Sequence, residues 1–147
     1  MNVQTFVSAP LRLSLLGGGT DLPHVINQLK RGKTITASLN LFVTVGCTTL
    51  PFFKGIKLKY SNNEIVSNVD SIIHPIYKEA LSYFDFNTET QYGIELVSTA
   101  SIPSGNGLGS SAAFTTSLMQ CLGKHFHNQK YEKKQLLNLS TNIEKKS

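Results

Sequence analysis

The segment Pro103-Ser104-Gly105-Asn106-Gly107-Leu108-Gly109-Ser110-Ser111-Ala112-Ala113 follows a strand-like run and opens a helix-like one, and no other stretch constrains the fold as much. Glycines at alternate positions strip Cβ atoms from one side of a loop, so backbone N–H groups can converge on an anion. A helix opening near Leu108 adds its unsatisfied amides and the positive end of its dipole. Ser110 and Ser111 place two hydroxyls in that first turn, one able to ligate a magnesium ion and the other to cap the helix or bond a phosphate oxygen. The competing reading is a glycine-rich turn before a serine-capped helix. Three glycines and two serines at this spacing favour a phosphate cradle. It is not a Walker A loop, which needs a lysine that this loop lacks, the next one being Lys124. It is not a dinucleotide fingerprint either, because Ser110 stands where the third glycine belongs.

A second glycine-rich segment lies near the N-terminus: Ala9-Pro10-Leu11-Arg12-Leu13-Ser14-Leu15-Leu16-Gly17-Gly18-Gly19-Thr20-Asp21-Leu22-Pro23. It reads as a proline-bounded strand, a triple-glycine turn and an exposed Thr-Asp pair. Gly18 and Gly19 let a ligand approach the backbone, and the Asp21 carboxylate can accept hydrogen bonds from sugar hydroxyls. Taken alone, Asp21 is better read as a turn or N-cap residue. Arg12 alone is an arginine on the polar side of an edge strand, and Glu144, beside Lys145 and Lys146, is a solvated charge at a helix end.

Together the two segments change those readings. Pro103-x-x-x-Gly107-Leu108-Gly109-Ser110-Ser111-Ala112 is similar to the second signature of the GHMP kinases, the galactokinase, homoserine kinase, mevalonate kinase and phosphomevalonate kinase family. The Ala9–Pro23 segment resembles the first. The resemblance implies an ATP-dependent kinase acting on a small sugar or sugar phosphate, with ATP and Mg2+ as cofactors. ATP would lie along Pro103, Ser104, Gly105, Asn106, Gly107, Leu108, Gly109, Ser110, Ser111 and Ala112. Ser111 and Glu144 would hold the metal, and Gly18, Gly19, Thr20 and Asp21 the sugar. Arg12 and Ser111 would be the catalytic residues present, Arg12 beside the transferred phosphoryl group. The family's aspartate base follows the metal-binding glutamate by roughly a dozen residues, which puts it beyond Ser147.

Gly17-Gly18-Gly19-Thr20-Asp21-Leu22-Pro23 resembles the kinases that phosphorylate heptose 7-phosphate at the anomeric position, whereas galactokinases carry Gly-Glu-His-Thr-Asp-Tyr there. Lys59-Tyr60-Ser61, Glu64-Ile65-Val66 and the stretch from Val69 to Pro75 fit the same group; fucose-type kinases share much of the pattern. The expected fold is α/β (α+β): a ribosomal-protein-like two-layer sheet with packed helices. Residues 1–147 are expected to be an N-terminal ATP-binding domain whose C-terminal lobe lies outside the chain, so that the chain alone is inactive. A truncated, non-catalytic nucleotide-binding module is the alternative.

Composition is compatible with this. At 40% hydrophobic and 16% charged residues the chain has enough apolar content for a core. Cys47 and Cys121 each sit in an apolar segment, as buried free thiols of a reducing, cytoplasmic compartment do. No secretory signal or membrane-length apolar stretch is visible. The net charge is +5, and six of the fourteen basic residues fall between Lys124 and Lys146. Glu132 and Glu144 interleave with them, which reads as a solvated helix face rather than a nucleic-acid surface. Expected strands are Val3–Ala9, Leu11–Leu16, a hairpin of Thr34–Leu39 and Phe42–Leu50 around Asn40-Leu41, Ile56–Tyr60 and Tyr92–Ala100. Expected helices run from Pro75 to Asp85, Leu108 to Gly123 and Glu132 to Glu144, while Leu22–Lys33 is a short helix or a loop.

Overall fold

A computed structural model describes residues 4–18, 25, 27–28, 31–89, 91–103 and 105–146. Among them, five strands form one sheet: β1 (Gln4–Leu16), β2 (Ile35–Leu50), β3 (Ile56–Lys59), β4 (Asn63–Val66) and β5 (Gly93–Ala100), in the order β1-β2-β5-β3-β4. Neighbours pair antiparallel except β3 and β5, which run parallel. A 3-10 turn (Val69–Ser71) precedes helix α1 (Pro75–Tyr83), and α2 (Ser110–His127) and α3 (Lys133–Lys146) follow β5. The mixed α+β class is as expected.

Side chains alternate across each strand, and one face of the sheet collects the core. Val43, Val45 and Cys47 of β2, Ile94 and Leu96 of β5, and Ile56 and Leu58 of β3 are buried. All but Val43 join one cluster with Tyr77 and Leu81 of α1, Leu118, Met119 and Leu122 of α2, and Ile143 of α3. The opposite face is exposed and mixed, carrying a Ser8–Thr44 hydroxyl bond of 2.8 Å and a Lys59–Glu95 ion pair of 2.8 Å beside exposed Phe6 and Ile65. Two layers result, helices on one side and solvent on the other. Cys47 and Cys121 are free and buried, and burial pushes the Cys121 thiol up to about 12. No helix among the described residues is long and apolar enough to cross a membrane.

Three expectations are corrected. The strand pair broken at Pro10 is one strand, because β1 lies at the sheet edge, where a missing N–H is tolerated. The hairpin around Asn40-Leu41 is likewise one continuous strand. Two-residue hairpin turns need positive φ at central positions, which Leu resists; the irregularity appears instead as a bulge, the register jumping from Pro10↔Phe42 to Arg12↔Ser38. The long helix starts at Ser110 rather than Leu108 and continues past Gly123 to His127. Gly123 is no terminator: a Cβ there would stand 2.5 Å from Cε2 of Tyr131, so glycine makes room for that ring. Half of the segment Leu22–Lys33 lies outside the described residues.

Candidate active site

The β1–β2 bulge frees the Arg12 N–H from the strand ladder, and it donates to the Leu108 carbonyl at 3.0 Å. At the other end of the glycine loop, the Ser101 N–H donates to the Phe42 carbonyl at 2.9 Å, while the Phe42 N–H donates to Ser101 Oγ at 2.9 Å. Both ends of the loop are therefore pinned to the β1–β2 pair on either side of the bulge. Bulges commonly re-aim groups in this way beside functional sites. Within the loop, Asn106 Nδ2 donates to the Pro103 carbonyl at 2.9 Å.

Gly105, Gly107 and Gly109 have φ of +87°, +70° and +70°. Each is in the left-handed region that only glycine enters without strain, so their spacing is a backbone requirement. Among the described residues, and chain neighbours aside, nothing lies within 4 Å of the Cβ positions of Gly105 and Gly107, whereas Cγ and Nε of Arg12 lie 3.1 and 3.2 Å from that of Gly109. Gly109 is the N-cap of α2, with no side-chain cap bond. Of the two roles expected of the serine that does not ligate the metal, capping the helix or bonding a phosphate oxygen, capping is not the one seen. The leading amides of α2 keep the orphan donors of any helix start, at the exit of a loop with room for an anion.

Two cavities meet at this loop. One, of about 860 Å³, is lined by Tyr60, His74, Ile76, Phe114 and Ile102 and reaches Pro103, Gly105, Ser110 and Ser111. The other, of about 410 Å³, is lined by Arg12, Ser14, Gly17, Gly18 and Thr34 and reaches Gly107, Gly109, Ser110 and Ser111. Ser110 and Ser111 thus face both. The two glycine-rich segments, far apart in sequence, come together around the smaller cavity. Gly19, Thr20, Asp21 and Ser104 lie outside the described residues, so only Gly18 of the expected sugar-holding set is placed.

Glu144 does not behave as the free surface charge that its lysine neighbours suggest. Its Oε1 accepts from Ser111 Oγ at 3.0 Å and from Thr115 Oγ1 at 3.2 Å. The pairing joins the last turn of α3 to the first turns of α2. A hydroxyl and a carboxylate oxygen are the hard donors that Mg2+ takes, and Mg2+ commonly uses one or two protein ligands with waters and phosphates. Ser111 and Glu144 fit that pattern. No group of three or more His, Cys, Asp or Glu side chains suited to a metal occurs among the described residues.

The larger cavity contains what sequence reasoning passed over. Tyr60 and His74 figured only inside matching stretches of sequence, and Phe114 did not figure at all; nor did Thr115, which bonds Glu144 rather than lining this cavity. His74 packs edge-on against Tyr60, Tyr77 and Phe114, with ring centroids 4.9, 5.0 and 5.6 Å away. Burial lowers the His74 pKa, and the nearby Glu64 charge opposes part of that shift. The available signal was the clustering of aromatics just before α1 and inside α2, but it does not reveal that they meet.

The family model for the GHMP kinases N terminal domain matches residues 73–147. No curated protein matches the sequence. A D-glycero-D-manno-heptose 1-phosphate kinase from Bacteriodes thetaiotaomicron superposes with a TM-score of 0.80 at 17% identity, over 98% of this chain and 48% of that one. The mevalonate kinase of Methanococcus jannaschii gives 0.69 at 20% identity, over 99% and 46%. A Lactococcus lactis galactokinase complexed with galactose gives 0.68 at 21%, over 96% and 37%. These likenesses show the fold, and the chain spans about half or less of the length of those structures. With the family model covering half of its residues, the chain belongs to the GHMP kinase family.

Proposed function

We propose that residues 1–147 form the N-terminal ATP-binding domain of a kinase that transfers the γ-phosphoryl group of Mg-ATP to a hydroxyl of a sugar or sugar phosphate. One observation carries the reading: a glycine loop held at positive φ separates a large aromatic-lined cavity from a small polar one. The triphosphate spans the loop from Pro103 to Ala112, with the base in the larger cavity beside Tyr60, His74 and Phe114. The acceptor occupies the smaller cavity beside Gly18, with Gly18, Gly19, Thr20 and Asp21 proposed to hold its hydroxyls on the strength of the sequence pattern. Arg12 lines the smaller cavity beside Gly109, where a guanidinium can neutralise charge developing on the transferred group. Ser111 and Glu144 hold Mg2+, which supplies charge neutralisation of the phosphates when bound. Phosphoryl transfer relies mainly on positioning and charge compensation, and these residues furnish both.

The Gly17–Pro23 pattern favours heptose 7-phosphate as the acceptor. The fold likeness to a heptose 1-phosphate kinase supports this only at the level of architecture. Sugar-dependent ADP formation by the kinase carrying its C-terminal lobe, across a panel of heptose, fucose and galactose derivatives, is the test. Nucleotide binding without turnover on any of them leaves a nucleotide-binding module instead of a kinase. Asp21→Ala is expected to cut sugar use by about 10²-fold with ATP affinity near normal, because one substrate-positioning contact is lost. Equal losses for both ligands would assign Asp21 a structural role.

A further inference from the structure

Strand β4 inverts the binary pattern of a half-buried strand. Ile65 is 71% exposed while Glu64 is only 7% exposed, on the strand face that Leu58 shares across the β3–β4 ladder. A carboxylate in a core position costs several kcal/mol unless its lone pairs are filled. Those of Glu64 are filled. Oε1 accepts from the Tyr60 hydroxyl at 2.6 Å and the His74 N–H at 3.2 Å, and Oε2 accepts from the Ile73 N–H at 2.7 Å. Burial would raise its pKa, but these donors outweigh burial and hold the carboxyl below its ordinary range. The charge is therefore built in, and a departure from local patterning of this kind marks a functional device more often than a packing accident.

Two of the three donors, Tyr60 and His74, belong to residues that line the larger cavity, and Ile73 immediately precedes His74. Tyr60 follows β3, and His74 is the N-cap of α1 with no side-chain cap bond of its own. We propose that Glu64 is a positioning residue for the nucleotide base: one buried carboxylate fixes Tyr60 and His74 relative to each other, and so sets the aromatic wall against which the base packs. The inference rests on the nucleotide reading of the glycine loop. It makes Glu64 matter for the base end of the ligand and not for the phosphate end, which the separately pinned loop supplies. Glu64→Gln is the informative change. An amide offers an acceptor to one side only and turns its NH2 group toward a donor on the other, so the wall loses at least one tether.

The experiment compares Mg-ATP with inorganic tripolyphosphate, titrated calorimetrically into the wild-type chain, Glu64→Gln and Tyr60→Phe. Loss of a charge-assisted bond is expected to weaken Mg-ATP binding by about tenfold or more in Glu64→Gln and leave tripolyphosphate within about twofold. Tyr60→Phe keeps the carboxylate and both backbone bonds, and serves if the glutamine variant does not fold. It is expected to show the same selectivity at roughly threefold or more, because one of the three bonds to the carboxylate is lost and two remain. A merely structural role would move both ligands together or neither, and either result overturns the inference. A wild-type chain that binds neither ligand overturns the nucleotide reading, and this inference with it.

Discussion

At the scale of single residues, the strongest constraint is Gly109. Its φ of +70° costs an L-residue about 1–2 kcal/mol, and a β-branched side chain would add crowding against the Arg12 stem, 3.1 Å from the Cβ position. Gly109→Val is therefore expected to weaken Mg-ATP binding by about tenfold or more, equivalent to roughly 1.4 kcal/mol, in a domain that still folds. Calorimetric titration with Mg-ATP checks the affinity, and circular dichroism checks the fold. Unchanged affinity in a folded variant would remove the loop as the phosphate site. Alternate glycines were legible because their reason is local, a backbone that must turn left-handed. The Glu144 partnership was not, since nothing in Glu-Lys-Lys-Ser reports that the first turn of another helix will lie beside it. Only the resemblance singled Glu144 out.

Among elements, the signals divide in the same way. Strand alternation in β5 and the 3.6-residue spacing in α1 and α3 were readable, because each element has one buried face and a period that shows it. What failed was the joining of elements. Pro10 and Asn40-Leu41 look like breaks in isolation, yet edge position and a bulge absorb both, and edge position is a property of the whole sheet. Gly123 failed for a related reason: a glycine near a helix end reads as a stop, but its cause is Tyr131, which approaches from the α2–α3 connection. Gly123→Ala would add up to about 1 kcal/mol of helix propensity. It would also place a methyl 2.5 Å from a ring packed on the core, and overpacking costs about 1–3 kcal/mol. The expected net result is destabilisation by about 1–2 kcal/mol in urea unfolding, largely relieved when Tyr131→Leu is added. Additive losses in the double variant would mean that the two positions do not compete for space.

For the molecule as a whole, the sheet is a frame that holds two cavities on either side of one loop, with Ser110 and Ser111 common to both. That arrangement has a kinetic consequence. If the nucleotide and the acceptor occupy separate cavities that meet only at the transferred phosphoryl group, both must be bound together before transfer. Excess sugar should then leave the Mg-ATP dissociation constant unchanged within about twofold, below the roughly 0.6 kcal/mol of thermal energy per factor of e. No residue between the cavities needs to carry phosphate. The Ser111 hydroxyl donates a hydrogen bond to Glu144 and lies in the proposed metal site, so it serves as a ligand rather than as a phosphate acceptor. Turnover should accordingly show intersecting double-reciprocal plots rather than the parallel lines of a ping-pong mechanism. Incubation with γ-labelled ATP in the absence of sugar should leave no label on the protein after denaturation. Labelled serine at position 111, or strict competition between sugar and nucleotide, would show that the two cavities do not hold donor and acceptor side by side.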